Sequence, residues 1–150
     1  MVELALVTEL TVYVGDAVEV GAGPSGCRRV IPITGGRACG PRLEGRILPG
    51  GADFQLLRPD GVAELHARYV LETPAGALVY IENNGLRHGP SEAMERIRRG
   101  EPVDPALIYF RSIPRFETGD QAHAWLTRAI FVASGIRHPD RVQLEIYEVR

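Results

Sequence analysis

The side chains of this chain that could do chemistry fall on short alternating runs, and the first set is Asp53, His66 and Arg68. Asp53 follows a Gly50-Gly51-Ala52 turn and shares a strand face with Gln55. Between Val62 and Glu72, the residues Glu64, His66, Arg68 and Glu72 alternate with Ala63, Leu65, Ala67, Tyr69 and Leu71. Asp53 is read two ways: as a cap for the turn's backbone N–H groups, which the local sequence favours, or as a carboxylate at a barrel mouth facing an arginine. A histidine at position 66 suits acid or base work near neutral pH, with Arg68 as the neighbouring cation. The bland reading of this face is a solvated wall of weak ion pairs. Parity does not say which face is the lumen.

A second set follows. Tyr109 and Arg111 share one face, Arg115, Phe116 and Glu117 come after Pro114, and Trp125 is close behind. Together they make an aromatic wall carrying guanidinium groups. Such a wall suits an aromatic or carboxylate-bearing small molecule, or a Tyr–Arg–carboxylate set that stabilises an oxyanion. The alternative is that Trp125 and Phe116 are core, as most strand aromatics are.

Other chemistries are excluded or weak. All 17 basic residues are arginine, and the absence of lysine removes Schiff-base chemistry, pyridoxal-phosphate attachment and a phosphate-loop lysine. No cofactor is expected. His66, His88, His123 and His138 lack metal-ligand spacing, and Cys27 and Cys39 form no C-x-x-C, so no metal is expected and both thiols are read as reduced. Ser25 lies between Pro24 and Gly26 without a G-x-S-x-G, and the paired glycines lie between strands. A net charge of −2 offers no attraction to nucleic acid or anionic membrane, and Arg96–Arg99 is too short a basic run to change that. No apolar run approaches the roughly 20 residues of a bilayer span. Glu3 and the lack of a basic flank argue against a signal peptide, so a cytoplasmic location is expected.

These residues must be positioned by β-structure. From Leu48 to Asn84, apolar runs are broken at Gly50-Gly51, Arg58-Pro59-Asp60-Gly61 and Thr73-Pro74-Ala75-Gly76, which is an antiparallel meander. Further strands are expected at Met1–Val14, Ala17–Val20, Arg28–Thr34, Arg37–Ile47, Ala106–Ile113, His123–Ser134 and Arg141–Val149, with Gly21–Gly26 a loop. One short helix is expected between Pro90 and Arg99, with Glu92 at its start and Arg96, Arg98 and Arg99 at its end. About nine or ten antiparallel strands in a single domain, 1–150, point to an all-β, closed or nearly closed barrel, because closure removes exposed edges. Runs such as Leu107–Ser112 and Ala124–Ala133 are apolar on both faces. A soluble barrel wall needs only one dry face, so a homo-oligomer is expected.

Three segments carry a resemblance: Arg29-Val30-Ile31-Pro32-Ile33-Thr34-Gly35-Gly36, Gly45–Asp53 and Ala67-Arg68-Tyr69. With Tyr109-Phe110-Arg111, Arg115–Gly119 and Trp125-Leu126, the chain resembles the bacterial domain-of-unknown-function family 3237 along its whole length. The resemblance implies a lipocalin-like antiparallel barrel and assigns no activity. It raises the expectation that Asp53, Arg68, Arg111 and Glu117 line a pocket. The expected function is small-molecule binding, with Arg68, Tyr109, Arg111, Glu117 and Trp125 around the ligand. The alternative is a cofactor-free isomerase, lyase or cyclase using Asp53 or His66 for proton transfer. A structural oligomerisation domain is the weaker third reading.

Overall fold

Alternation of side chains along each strand decides which face turns inward, and the strands then close on one another. The computed structural model describes residues 1–150. The strands are β1 (Leu4–Val14), β2 (Val18–Gly23), β3 (Gly26–Cys39), β4 (Gly45–Ile47), β5 (Gly51–Leu57), β6 (Ala63–Glu72), β7 (Leu78–His88), β8 (Tyr109–Glu117), β9 (Ile130–Arg137) and β10 (Arg141–Val149). Antiparallel pairing runs β1-β10-β9-β8-β7-β6-β5-β3, and β3 returns to pair with β1. The result is a closed eight-stranded barrel with β2 and β4 added along β3. The helix is α1 (Ser91–Arg98), and Pro105–Leu107 and Gln121–Thr127 are 3₁₀ segments. The expected all-β closed barrel with a short helix is therefore the fold, although several local expectations need correction: Pro105–Leu107 is 3₁₀ so that the strand expected at Ala106–Ile113 starts at Tyr109, and the run Arg37–Ile47 is divided between the end of β3 and the short β4.

The run His123–Ser134 is not one strand. Gln121–Thr127 coils as a 3₁₀ segment, held by the Thr127 hydroxyl donating to the Ala124 carbonyl (2.7 Å), and the strand begins at Ile130. Burial of Leu126 against the barrel end outweighs the strand preference of an isolated apolar run. Gly35-Gly36 does not separate two strands. It bends one long strand, β3, which pairs with β5 before the bend and with β4 after it. Gly21–Gly26 is no free loop either, because β2 and β3 form a hairpin turning at Pro24-Ser25.

The barrel interior has two halves. The lower half is dry: Val7, Leu71, Val79, Phe131 and Ile146 are each no more than 1% exposed. Leu126 and Trp125 seal this end, with the Arg42 guanidinium 3.9 Å from the Trp125 ring and Phe131 edge-on to Phe116. The fully buried Thr8 hydroxyl donates to the Leu43 carbonyl at 2.8 Å, tying the β3–β4 connection to β1. Thr8→Val is expected to cost about 1–2 kcal/mol, because it strands that carbonyl. A urea midpoint unchanged from wild type would contradict this.

The upper half, towards α1, is different. Along β7 the inward series Val79, Ile81 continues as Asn83, Gly85 and Arg87. On β9 it passes from Phe131 and Ala133 to Gly135 and Arg137, and on β8 Ser112 interrupts Phe110 and Phe116. Small and polar residues replace bulky ones at the same height, and the core opens into a cavity.

Candidate functional site in the upper lumen

Asp53 stands on β5 opposite Ile31 of β3 and Ala67 of β6, facing inward. Its Oδ2 accepts from Gln55 Nε2 (2.8 Å) and its Oδ1 from the His66 backbone N–H (2.9 Å). The carboxylate therefore has a fixed orientation. It also fixes Gln55: a side-chain amide that donates to a carboxylate must turn its oxygen the other way. Gln55 is 1% exposed, and its Oε1 accepts nothing from the protein.

Four other buried atoms share that condition. Tyr69 Oη, Asn83 Oδ1, Arg87 Nε and Ser112 Oγ have no hydrogen-bond partner in the protein. All five unpartnered atoms belong to residues lining one cavity of about 50 Å³ inside the barrel. Native interiors hold few such groups, because each costs about 1–3 kcal/mol. Five around one space make it the candidate site.

The charges around the cavity are mainly positive. Arg87 is 2% exposed and belongs to no ion pair; its guanidinium carbon lies 5.4 Å from the centre of the Phe110 ring. Burial draws its pKa down to about 10, Asp53 opposes that shift, and the Arg137 and Arg29 charges add to it. Arg87 therefore stays cationic at neutral pH. Burial, then Arg29, also lowers the pKa of Arg137. Arg29 is engaged elsewhere, donating to Glu19 (2.8 Å) and to the Arg98 carbonyl of α1 (3.2 Å). Burial, with Asp53 nearby, raises the Tyr69 phenol well above its ordinary range. Its hydroxyl is a donor at any working pH. No grouping of His, Cys, Asp and Glu here is arranged to hold a metal ion.

Of the residues singled out in the sequence, only Asp53 faces this cavity. His66 and Arg68 are on the outer wall, where both reach Asn84 Oδ1 (3.2 and 2.9 Å) and Arg68 Nε lies 3.8 Å from Glu82. Tyr109 and Arg111 also face out; Tyr109 stacks on His88, and Arg111 lies 5.7 Å from the Tyr109 ring. Glu117 is exposed at the far end of β8, opposite Tyr80. Trp125 belongs to the lower seal. The expectation that Arg68, Tyr109, Arg111, Glu117 and Trp125 surround one ligand is corrected accordingly. The physical reason is parity: on β6 and β8 the faces carrying Leu65–Tyr69 and Phe110–Phe116 have more apolar area to bury, so the charged faces turn outward. His66, Tyr109 and Arg111 do come together on that outer side, in a groove of about 930 Å³ beside Leu86 and Ile113. The groove lies where β8 and β9 share only the pairs Arg111–Ser134 and Ser112–Ala133.

The sequence held a usable signal for the lining of this cavity. Asn83, Arg87, Ser112 and Arg137 all share strand parity with core residues, so each is a polar group at an apolar position. That pattern points inward more reliably than a cluster of charges does.

Comparison with known proteins agrees with this architecture. A UPF0311 protein from Bradyrhizobium diazoefficiens is 51% identical over 140 residues, covering 93% of this chain and 91% of that protein. The crystal structure of a conserved protein of unknown function from Rhodopseudomonas palustris superposes with a TM-score of 0.94 at 47% identity, covering 100% of this chain and 99% of that one. An enzyme from Penicillium herquei shares the fold at 16% identity, with a TM-score of 0.74 over 99% of this chain and 95% of its own. Residues 2–149 match the family described as protein of unknown function (DUF3237), and the chain belongs to that family.

Proposed function

We propose that this protein binds a small aromatic or carboxylate-bearing metabolite in the upper lumen of its barrel. One observation carries the reading: the five buried polar atoms without protein partners all line the same cavity. A ligand that supplies hydrogen bonds to them recovers a desolvation cost already present in the fold. The test is a thermal-shift screen of aromatic and carboxylate metabolites against wild type and Ala67→Leu, which fills the cavity from β6. Ligands should stabilise wild type by several degrees and leave the filled variant unmoved. Hits of equal size in both would overturn the reading.

A second reading has its own support. Asp53, oriented by two N–H donors and close to a permanently protonated Tyr69, has the form of a base beside an oxyanion donor. As a cofactor-free isomerase, lyase or cyclase, the protein would let Asp53 take a proton from carbon next to a substrate carbonyl. The C–H electron pair moves to the carbonyl oxygen, which accepts from Tyr69, and Asp53 later returns the proton. The likeness in fold to the Penicillium herquei enzyme shows only that such a barrel can host catalysis. Asp53→Asn should keep binding yet slow deuterium exchange at that carbon by on the order of 10²–10⁴-fold. Exchange at the wild-type rate would remove this reading.

We also propose that a second copy of the chain covers the outer groove. Leu4, Tyr147, Val132 and Ile113 line it from the four neighbouring strands β1, β10, β9 and β8, and Leu4 and Ile113 are more than half exposed. Arg111 and Glu145 line the same groove and neither has an ion-pair partner, so a two-fold axis can set one against the other. Sedimentation at micromolar concentration should give a dimer or larger for wild type and a monomer for Ile113→Glu. A monomeric wild type would contradict it.

A further inference from the structure

We propose that the lumen site takes a hydroxycarboxylate, with Arg87 receiving the carboxylate and Gln55 Oε1 the hydroxyl. This rests on the reading of the lumen as a ligand site and specifies what it selects.

The charge balance favours a single negative charge. Arg87 and Arg137 line the upper lumen, with the Arg29 charge near enough to act on Arg87, while Asp53 is the only carboxylate lining it. Glu19 neutralises Arg29 from outside, at 2.8 Å. Arg137 is held by the carbonyls of His138 and Arg141, and the Asp53 oxygens already accept two N–H groups. Arg87 is left as the buried cation with an unpartnered N–H and no ion pair. A planar guanidinium in that state suits a carboxylate better than any neutral group.

Charge alone does not complete the site. Gln55 Oε1 is fixed as an acceptor by the bond its amide nitrogen makes to Asp53, and a carboxylate cannot donate to it. Asn83 contributes a second unpartnered oxygen. The ligand must therefore carry a donor near its anionic end, and a hydroxyl is the smallest that leaves the overall charge unchanged.

Size sets the orientation. The inner cavity of about 50 Å³ has room for roughly three or four water-sized groups, which is a carboxylate and its substituted neighbouring carbon. Arg87 also lines a second cavity of about 370 Å³, between α1 and the β5–β6 turn. Leu57, Met94 and Ile97 give that outer space its apolar lining. The head enters the barrel and the body of the ligand lies under α1.

Mandelate, phenylacetate and mandelamide separate the two requirements, because phenylacetate lacks only the hydroxyl and mandelamide only the charge. Calorimetric titration at fixed ionic strength should rank mandelate tightest, with mandelamide weaker by roughly 10–100-fold and phenylacetate by roughly 5–10-fold. Arg87→Met should abolish the preference for acid over amide. Gln55→Met should abolish the preference for mandelate over phenylacetate while sparing the first. Equal affinity for acid and amide, a preference unchanged in Arg87→Met, or no binding of either acid at 10-millimolar order would overturn the proposal. Neutral compounds that bind wild type and fail on Ala67→Leu would defeat this selectivity while leaving the lumen as the ligand site.

Discussion

Replacing Arg87 with methionine is expected to stabilise the ligand-free barrel by ~2–3 kcal/mol, raising its melting temperature by roughly 5–10 °C. The direction is opposite to that of most buried substitutions. Arg87 is 2% exposed, its Nε has no partner, and no carboxylate forms an ion pair with it. Its pKa is drawn down to about 10, chiefly through burial, which means the fold holds the charged form at a cost. Because the folded value lies below the unfolded one, that cost is present throughout the range below about 10 and fades only as pH rises above it. The stability gap between variant and wild type should therefore be flat from about pH 6 to 9. Methionine fills a similar volume, adapts to irregular space and needs no hydrogen bond. Chemical denaturation of both proteins across that range tests the expectation. A variant less stable than wild type would mean that Arg87 is a structural strut, satisfied within the protein.

Gly36→Ala should have the opposite and larger effect, a loss of about 4 kcal/mol or failure to fold. Gly36 has φ +146°, and a Cβ there would stand 2.1 Å from the Thr11 carbonyl oxygen of β1 and 3.1 Å from Ile47 Cδ1. The oxygen belongs to a paired strand and cannot swing aside as a side chain could. Residue 36 is also where β3 bends and pairs with both β1 and β4, the join that closes the barrel. Relief of the clash would part β3 from β1, exposing the Leu10 and Val12 layer to water. Urea denaturation, with soluble yield as a second readout, should show the loss. A midpoint within experimental error of wild type would contradict the placement of this join.

Much of the architecture is legible from residue types alone. Turn chemistry at Arg58-Pro59-Asp60-Gly61 and Thr73-Pro74-Ala75-Gly76 marks the β5–β6 and β6–β7 hairpins, and Arg96 and Arg98 close α1 as helix electrostatics require. What stays hidden is tertiary in origin. Nothing local distinguishes a strand from the 3₁₀ turn at Gln121–Thr127, because the deciding contact is Leu126 against a barrel end assembled from distant strands. Gly35-Gly36 reads as a break when considered alone, and only the partners on either side show it to be a bend within β3.

The site is less legible for the same reason. Charged clusters such as His66 with Arg68, or Tyr109 with Arg111, draw attention because they are dense, and they are dense because water solvates them. The lumen set is sparse: Gln55, Asn83 and Ser112 look unremarkable beside their apolar neighbours. Their significance appears only when strand parity places them inside and the hydrogen-bond inventory leaves them unpartnered.

The most direct test is a high-resolution crystal structure of wild type grown with a pool of small hydroxycarboxylates and aromatic metabolites. The predicted result is a bound molecule in the upper lumen, in contact with Arg87 and with at least two of Gln55, Tyr69, Asn83 and Ser112. A lumen closed by its own side chains, with those five groups bonded to one another, would contradict it.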